Sequence, residues 1–591
     1  MKIILNHLGF EPNNRKTALI EAAADQLKGK SFTVYDANMR LAVHRGAIVA
    51  MGTVGNWTKN GVKRHYWQAE FTALNTVGEY FIAIDEVTPP LASQSFKIAN
   101  HLMGELLLSD IVHYIKGQRC TGIFDAADHA ALIVGGDTRR DVHGGWYDAS
   151  GDASKYLSHL SFAQYMNPQQ TPQVVWNLVD GLQSLSSRPV WLEDYVQQGL
   201  IPDDAEKIAF FNKWFYERIT DEACHGADFL VRMQAEQGYF YMTVFDQWSK
   251  DVTRRDICEY KTQKGDKYAT YQAAYRQGGG AAIAALARAS TLERDGEFSR
   301  ANYLQAAQKG FADLEANNLS YLEDSVENII DEYCALLAAS ELFAVSGDAQ
   351  YQVAAEQRVQ QLLARQQAEG WFIADHLAQR SFFHAAEAGL PYIALIRFIE
   401  VCPGSELIGS IKAALRKAYA YELKITYDEV NNPFGYPRQY VMQNGVAGNT
   451  QFFIPHDNGT GYWWQGENAR LGSIAAAAAR AQKLFADDAA FVAQLAVYEQ
   501  AALDWVLGNN PFDACMLQGW GHNNPRYEPG FFNAAGGVCN GITSGLDDET
   551  DIDFRPSEQA TMANSWRWTE QWMPHAAWLF LALCARMNKG Q

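Results

Sequence analysis

Residues Asp141-Val142-His143-Gly144-Gly145-Trp146-Tyr147-Asp148-Ala149-Ser150-Gly151-Asp152 set two carboxylates, Asp148 and Asp152, four positions apart in a loop rich in glycine and aromatics. Glycine lets the backbone adopt conformations closed to other residues, and Trp146 and Tyr147 offer flat apolar faces of the kind on which pyranose rings stack. The pattern suits acid/base chemistry on a sugar; a solvated turn or a calcium loop has the same composition. A second carboxylate group lies in Leu546-Asp547-Asp548-Glu549-Thr550-Asp551-Ile552-Asp553-Phe554-Arg555-Pro556-Ser557-Glu558. Glu558 follows the acidic run and precedes an apolar segment with Met562 and Trp566. Desolvation and nearby negative charge both raise a carboxyl pKa, as a general acid near neutrality requires. The alternative is a capping residue after Pro556 and Ser557, with the acidic run a solvated face. A third stretch, with Asp457, Trp463, Trp464, Glu467 and Asn468, offers stacking and hydroxyl contacts, or plain helix capping.

Elements must hold these loops together. Before residue 100, short alternating runs such as Ser31–Tyr35 and Tyr80–Ile84 predict a small β-sandwich over 1–100. After it, helical periodicity predicts roughly twelve helices over 105–117, 170–185, 204–234, 271–290, 296–317, 327–345, 348–368, 385–400, 407–423, 466–484, 487–507 and 570–587. Their long connections, 118–168, 424–465 and 508–569, carry the chemistry-bearing residues. An up-and-down helical toroid over 101–591, its long loops gathered at one end as a cleft, accounts for this pattern.

Composition narrows the function. The chain has 591 residues, 48% of them hydrophobic and 13% aromatic, enough for one large core and a smaller one. With 49 Lys and Arg against 68 Asp and Glu the net charge is −19, which argues against nucleic acid or an anionic membrane as partner. The eight cysteines form no C-x-x-C pair, so neither a disulfide framework nor a zinc site is expected. Acidic loops allow a structural calcium without requiring it, and no cofactor is needed. The N-terminus lacks an apolar secretory run and no stretch is long enough to span a bilayer, which predicts a cytoplasmic protein.

Ordered motifs add a resemblance. Asn6-His7-Leu8-Gly9-Phe10 with Pro12 and Lys16, then Gln118-Arg119-Cys120, Gly144 through Asp152, Lys155-Tyr156, His225 to Leu230, Cys334 to Ala339, Asn432-Pro433-Phe434-Gly435, Leu507 to Pro511, and Glu558-x-Ala560-x-x-x-Asn564-Ser565 follow one another in the order seen in glycoside hydrolase family 9. The resemblance covers nearly the whole chain. It implies an immunoglobulin-like β-sandwich followed by an (α/α)6 barrel, and single-displacement, inverting hydrolysis of a β-1,4 glycosidic bond. By position, Asp148 and Asp152 correspond to the pair that holds and deprotonates water, with Asp152 favoured as base, and Glu558 corresponds to the proton donor.

This sequence departs from the family pattern in three places. The aspartate pair is lengthened by Ser150. The usual His-His-Arg cluster is replaced by Gly519-Trp520-Gly521-His522-Asn523-Asn524-Pro525-Arg526-Tyr527, where His522 and Arg526 are the substrate-contact candidates, or merely turn-forming polar residues. Asp547-Asp548-Glu549 stands where an aromatic-x-Asp is usual. Extra carboxylates such as Asp551, Asp553 and Glu467 could pair with the ammonium group of an amino sugar. The sequence therefore predicts an exo-β-D-glucosaminidase acting on short imported oligosaccharides, alongside members of the family with a similarly lengthened aspartate motif. The alternative is an endo- or exo-β-1,4-glucanase on cello-oligosaccharides, and the remote one a non-catalytic sugar-binding protein.

Overall fold

The computed structural model describes residues 1–160, 162–186, 196, 199, 201–262, 264–556 and 561–588. Nine strands form the N-terminal sandwich: β1 (Lys2–Ile4), β2 (Gly9–Phe10), β3 (Thr17–Glu21), β4 (Ser31–Asp36), β5 (Ala42–Lys59), β6 (Val62–Glu70), β7 (Gly78–Ile84), β8 (Leu91–Ala92) and β9 (Phe96–Ile98). Their ladder runs β1-β3-β6-β5-β4-β7-β9-β2, with β8 on β7. Alternation decides which face is inward: Phe32, Val34, Trp67, Tyr80, Ile82 and Phe96 meet in a core of their own. Strand β5 is unusually long at 18 residues, with irregular register between Ala50 and Gly52 and again between Thr53 and Thr58. It carries Trp57 out of the sandwich and into the large core, among Phe434, Phe452 and Trp505.

The rest is mainly helical: α1 (Glu105–Gly117), α2 (Gly122–Asp128), α3 (Thr171–Ser186), α4 (Ala205–Arg232), α5 (Gly279–Ala289), α6 (Arg300–Tyr321), α7 (Ile329–Ser346), α8 (Ala349–Ala364), α9 (Leu390–Val401), α10 (Ile408–Tyr427), α11 (Asn468–Leu484), α12 (Ala489–Val506), α13 (Met562–Thr569) and α14 (Met573–Met587). Helices α3, α5, α7, α9, α11 and α14 pack each on the next and close a ring. Helices α1, α4, α6, α8, α10 and α12 surround them, as in an (α/α)6 barrel. Burial separates the two sets. In α5 every residue is buried, whereas α6 buries seven of 22, the one-sided pattern of an outer helix. Each predicted helical stretch has a counterpart, within a turn or two at most ends.

A six-stranded sheet, β10 (Ala131–Ile133), β11 (Arg139–Arg140), β12 (Lys155–Tyr156), β13 (Thr243–Phe245), β14 (Asp256–Lys261) and β15 (Asp266–Tyr268), is an addition to the expected architecture. It joins the connection after α2 to the one after α4 through β12 and β13, and so fixes the backbone just beyond Asp152.

Candidate active site

The loop holding the aspartates is bent by Gly144 and Gly145, both at positive φ (79° and 69°). A side chain at Gly145 would run into the Phe229 ring, so glycine serves conformation and close approach together. Beyond Tyr147 the chain turns on itself: Asp148 N–H donates to Ser154 O at 3.1 Å and Asp152 N–H to Ala149 O at 3.3 Å. The added residue Ser150 sits at the tip and ties the loop to the entrance of α14. Its N–H donates to Gln571 O at 2.8 Å, Gln571 N–H donates to its Oγ at 3.1 Å, and Met573 N–H donates to Asp148 O at 3.0 Å.

Both carboxylates are buried, at 7% and 8% exposure, but their partners differ. Asp152 accepts from Ser154 N–H at 2.8 Å on Oδ1 and from the Tyr156 hydroxyl at 2.7 Å on Oδ2. Asp148 takes Trp572 Nε1–H at 3.0 Å and the Gln170 amide on the same oxygen, Oδ1, leaving Oδ2 toward His159 Nδ1 at 3.6 Å. Burial, together with the charge of Asp246, pushes Asp152 up to about 6, while its hydrogen bonds hold it down. Burial raises Asp148 well above the ordinary carboxylate range, with the charges of Asp152 and Glu570 adding to the effect. His159 cannot compensate, because burial pushes its pKa down to about 3 and leaves it neutral. The two aspartates therefore titrate as a coupled pair with the ionised form favoured on Asp152.

Glu570 completes the acidic group. It lies just before α14, and a side chain at Gly151 would strike its carboxylate and the Tyr527 ring. Burial and the charge of Asp152 push it up to about 8. Among the described residues no lysine or arginine forms an ion pair with Asp148, Asp152 or Glu570; the cation facing them is Lys250, an exposed side chain 3.9 Å over the Phe531 ring. Trp463 closes the same site, 6.2 Å from His159 and 5.6 Å from Trp572 between ring centroids. Thus the three long connections do meet, through Asp148 and Asp152, Trp463, and Tyr527 with Glu570. Gln170 immediately precedes α3 and Trp572 immediately precedes α14, and both bond Asp148, so the N-termini of these two inner helices meet there.

The structure engages several of the substrate-contact candidates with other partners or sets them apart from the aspartates. Trp146 is buried against His225, with Nε1–H 3.3 Å from Glu222, and Tyr147 packs edge-on against Phe124 and bonds Thr121. Both rings are thus committed to the neighbouring helices, Trp146 to α4 and Tyr147 to the start of α2. Trp464 stacks on His456 at 3.8 Å rather than beside the aspartates. Glu467 is consumed internally by Arg470 at 3.0 Å and by Ile454 N–H at 2.5 Å, and Asn468 by Cys539 O at 2.8 Å. His522 stacks on His7 of the sandwich at 3.5 Å and faces Asp513. Arg526 is exposed on a separate cleft. Asp551 receives Thr58 N–H at 2.7 Å and its hydroxyl, which fastens the acidic loop to β5, and Asp553 pairs with Arg555 at 2.7 Å. Asp457 is exposed. Glu558 lies outside the described residues.

The residues that sequence reasoning did not single out are Gln170, His159, Asp246, Glu570 and Trp572, while Tyr156 and Tyr527 entered only as parts of longer motifs. Glu570 and Trp572 stand directly before an apolar helix, a position that reads as an ordinary helix start. His159 and Gln170 carry no spacing signal at all.

Known proteins share this architecture. The profile of glycosyl hydrolase family 9 matches residues 105–528, and that of the cellulase N-terminal ig-like domain matches residues 1–89. Endoglucanase D of Acetivibrio thermocellus is 30% identical over 174 residues, which is 26% of this chain and 25% of the relative, so the match spans about a quarter of the curated relative's length. A metagenome-derived family 9 endoglucanase superposes with a TM-score of 0.66 at 17% identity, covering 100% of this chain and 99% of its own. A family 9 protein of Bacteroides ovatus gives 0.62 at 17% identity, covering 99% and 98%.

Proposed function

The chain belongs to glycosyl hydrolase family 9, and from that premise we propose that it hydrolyses β-1,4 glycosidic bonds with inversion, using Asp152 as base, Asp148 to hold the water and Glu558 as acid. The buried aspartate pair, without a cationic partner among the described residues, carries this reading. A general base must be ionised at working pH yet basic enough to take a proton, and Asp152, raised to about 6 with two donors on its carboxylate, meets both demands. Asp148, protonated more readily, can donate one hydrogen bond and accept another, which orients a water without competing for its proton. Inversion then requires the acid to face this pair across the sugar.

A β-1,4-glucan is the substrate supported by the endoglucanase name of the relative, and we take cello-oligosaccharides as the leading class. One observation favours an amino sugar as the second reading: half-buried Glu570 adds a third carboxylate beside the pair with no ion-pair partner among the described residues, and an ammonium group would relieve it. The carboxylates first considered for that task, Asp551, Asp553 and Glu467, are occupied elsewhere.

Proton NMR of fresh hydrolysis product decides the stereochemistry: the α-anomer should appear first, and β-product first would refute inversion. Glu558→Gln should slow cleavage of a disaccharide by about 10²–10⁴-fold, and less for a substrate with a good leaving group. Rates on cellobiose against glucosamine disaccharide then separate the two substrate readings.

A further inference from the structure

A cavity of about 820 Å³ lies between the sandwich and the outer wall of the barrel, far from the aspartates. It is bounded by Glu11 to Arg15 on one side and on the other by α12 and the ends of α10 and α14. Arg586, at its floor, stands fourteen residues beyond Trp572 on α14, roughly 21 Å along the helix axis at 1.5 Å per residue. None of the side chains around Asp148 and Asp152 lines it.

Some residues of its lining carry polar atoms left without partners. Tyr427 Oη, Asn509 Oδ1 and Arg586 Nε are buried atoms of lining residues with no hydrogen-bond partner, and Asn509 is only 7% exposed. Asp504, on α12, accepts from Asn6 at 2.7 Å and from Gln500 at 2.6 Å, both on Oδ1. Such buried unsatisfied groups cost about 1–3 kcal/mol each, so three around one cavity call for an explanation.

The chemistry of the lining selects a ligand. Arg15 and Arg586 balance Glu11 and Asp504, which leaves no net charge to favour an ion of either sign. The amide side chains of Asn13, Asn14, Asn432 and Gln500 line it and are at least partly accessible, and each amide both donates and accepts, the complement of vicinal hydroxyls. Met51, Val430 and Val497 supply an apolar wall for the C–H face of a ring. The volume falls in the range of small-molecule sites, which favour domain junctions. We propose that this junction is a second, non-catalytic binding site for a neutral mono- or disaccharide.

Equilibrium dialysis of the full chain tests it, with Asp152→Asn as background to prevent turnover and labelled cellobiose or glucosamine disaccharide as probe. Val497→Trp, which fills the cavity, should lower the number of sugar molecules bound per chain by one, and Asn509→Ala should weaken the same site. In the otherwise native chain, Val497→Trp should leave hydrolysis unchanged. If Val497→Trp fails to fold, Asn509→Ala carries the test alone. An unchanged stoichiometry and affinity in every folded variant overturns the proposal. Because the readout is bound sugar rather than cleavage, it stands or falls apart from the catalytic assignment.

Discussion

Asp128, at the end of α2, and the pair Asp148 and Asp152, in the loop that follows, are all buried and behave oppositely. Asp128, fully buried, is gripped by Lys155 at 2.7 Å and by Arg255 through two nitrogens, each at 2.7 Å. Those cations overcome burial and hold its pKa below the ordinary carboxylate range. Asp148 and Asp152 are scarcely more exposed, yet among the described residues only neutral donors reach them, and burial pushes them up. Lys155 is three residues from Asp152 and points the other way, over Phe229. Burial alone therefore does not mark a reactive carboxylate; what marks it is burial without a countercharge.

That contrast can be broken most sharply by the same substitution at each place. Asp152→Asn should abolish most activity, by about 10²–10⁴-fold in kcat, with the melting temperature little changed or raised. Asp128→Asn should do the reverse: it strands two buried cations and should cost about 3–5 kcal/mol in urea unfolding, while activity per folded molecule largely survives. Comparable activity losses in folded protein at both positions would dissolve the distinction.

pH sharpens it further. The base must be ionised, so kcat/KM should rise with pH and level off above the Asp152 value of about 6. Below it the rate should fall roughly tenfold per pH unit. Protonation of Asp128 should play no part in that limb.

The smallest effect concerns Glu570. Its folded pKa, about 8, exceeds the ordinary value of 4.5, so the native state binds more protons than the unfolded state between those values. The contribution is fully present below the lower value and is lost as pH rises through the upper one. Glu570→Gln should therefore be more stable relative to the parent at about pH 9 than at about pH 5, by about 1–3 kcal/mol in urea titrations. A difference independent of pH would place a cation beside Glu570.

Much of the fold was legible because helices of this size announce themselves by period, as in Ile329–Ser346, where an apolar run starts at Asn328 and stops at Gly347. The sheet β10–β15 was not, since its strands span two to six residues and Leu132 pairs with Asp256, far along the chain. At the site, the spacing of Asp148 and Asp152 and the convergence of long connections could be read locally. The fates of His522 and Asp551 could not, because His7 and Thr58, which engage them, come from the other domain. Glu467 misled for a different reason: a carboxylate among tryptophans looks like a ligand contact, and only Arg470 one turn later reveals its ion pair.

The meeting of the α3 and α14 N-termini at Asp148 bears on how such a site tolerates change. Each terminus contributes a fraction of a positive charge that comes from backbone dipoles and depends on no particular side chain. Connections between the helices can lengthen, as at Ser150, or exchange one carboxylate for another without dismantling that background field. The barrel thus separates a durable electrostatic setting from replaceable recognition loops, and a designer seeking a new sugar specificity should graft connections while leaving the helix starts untouched.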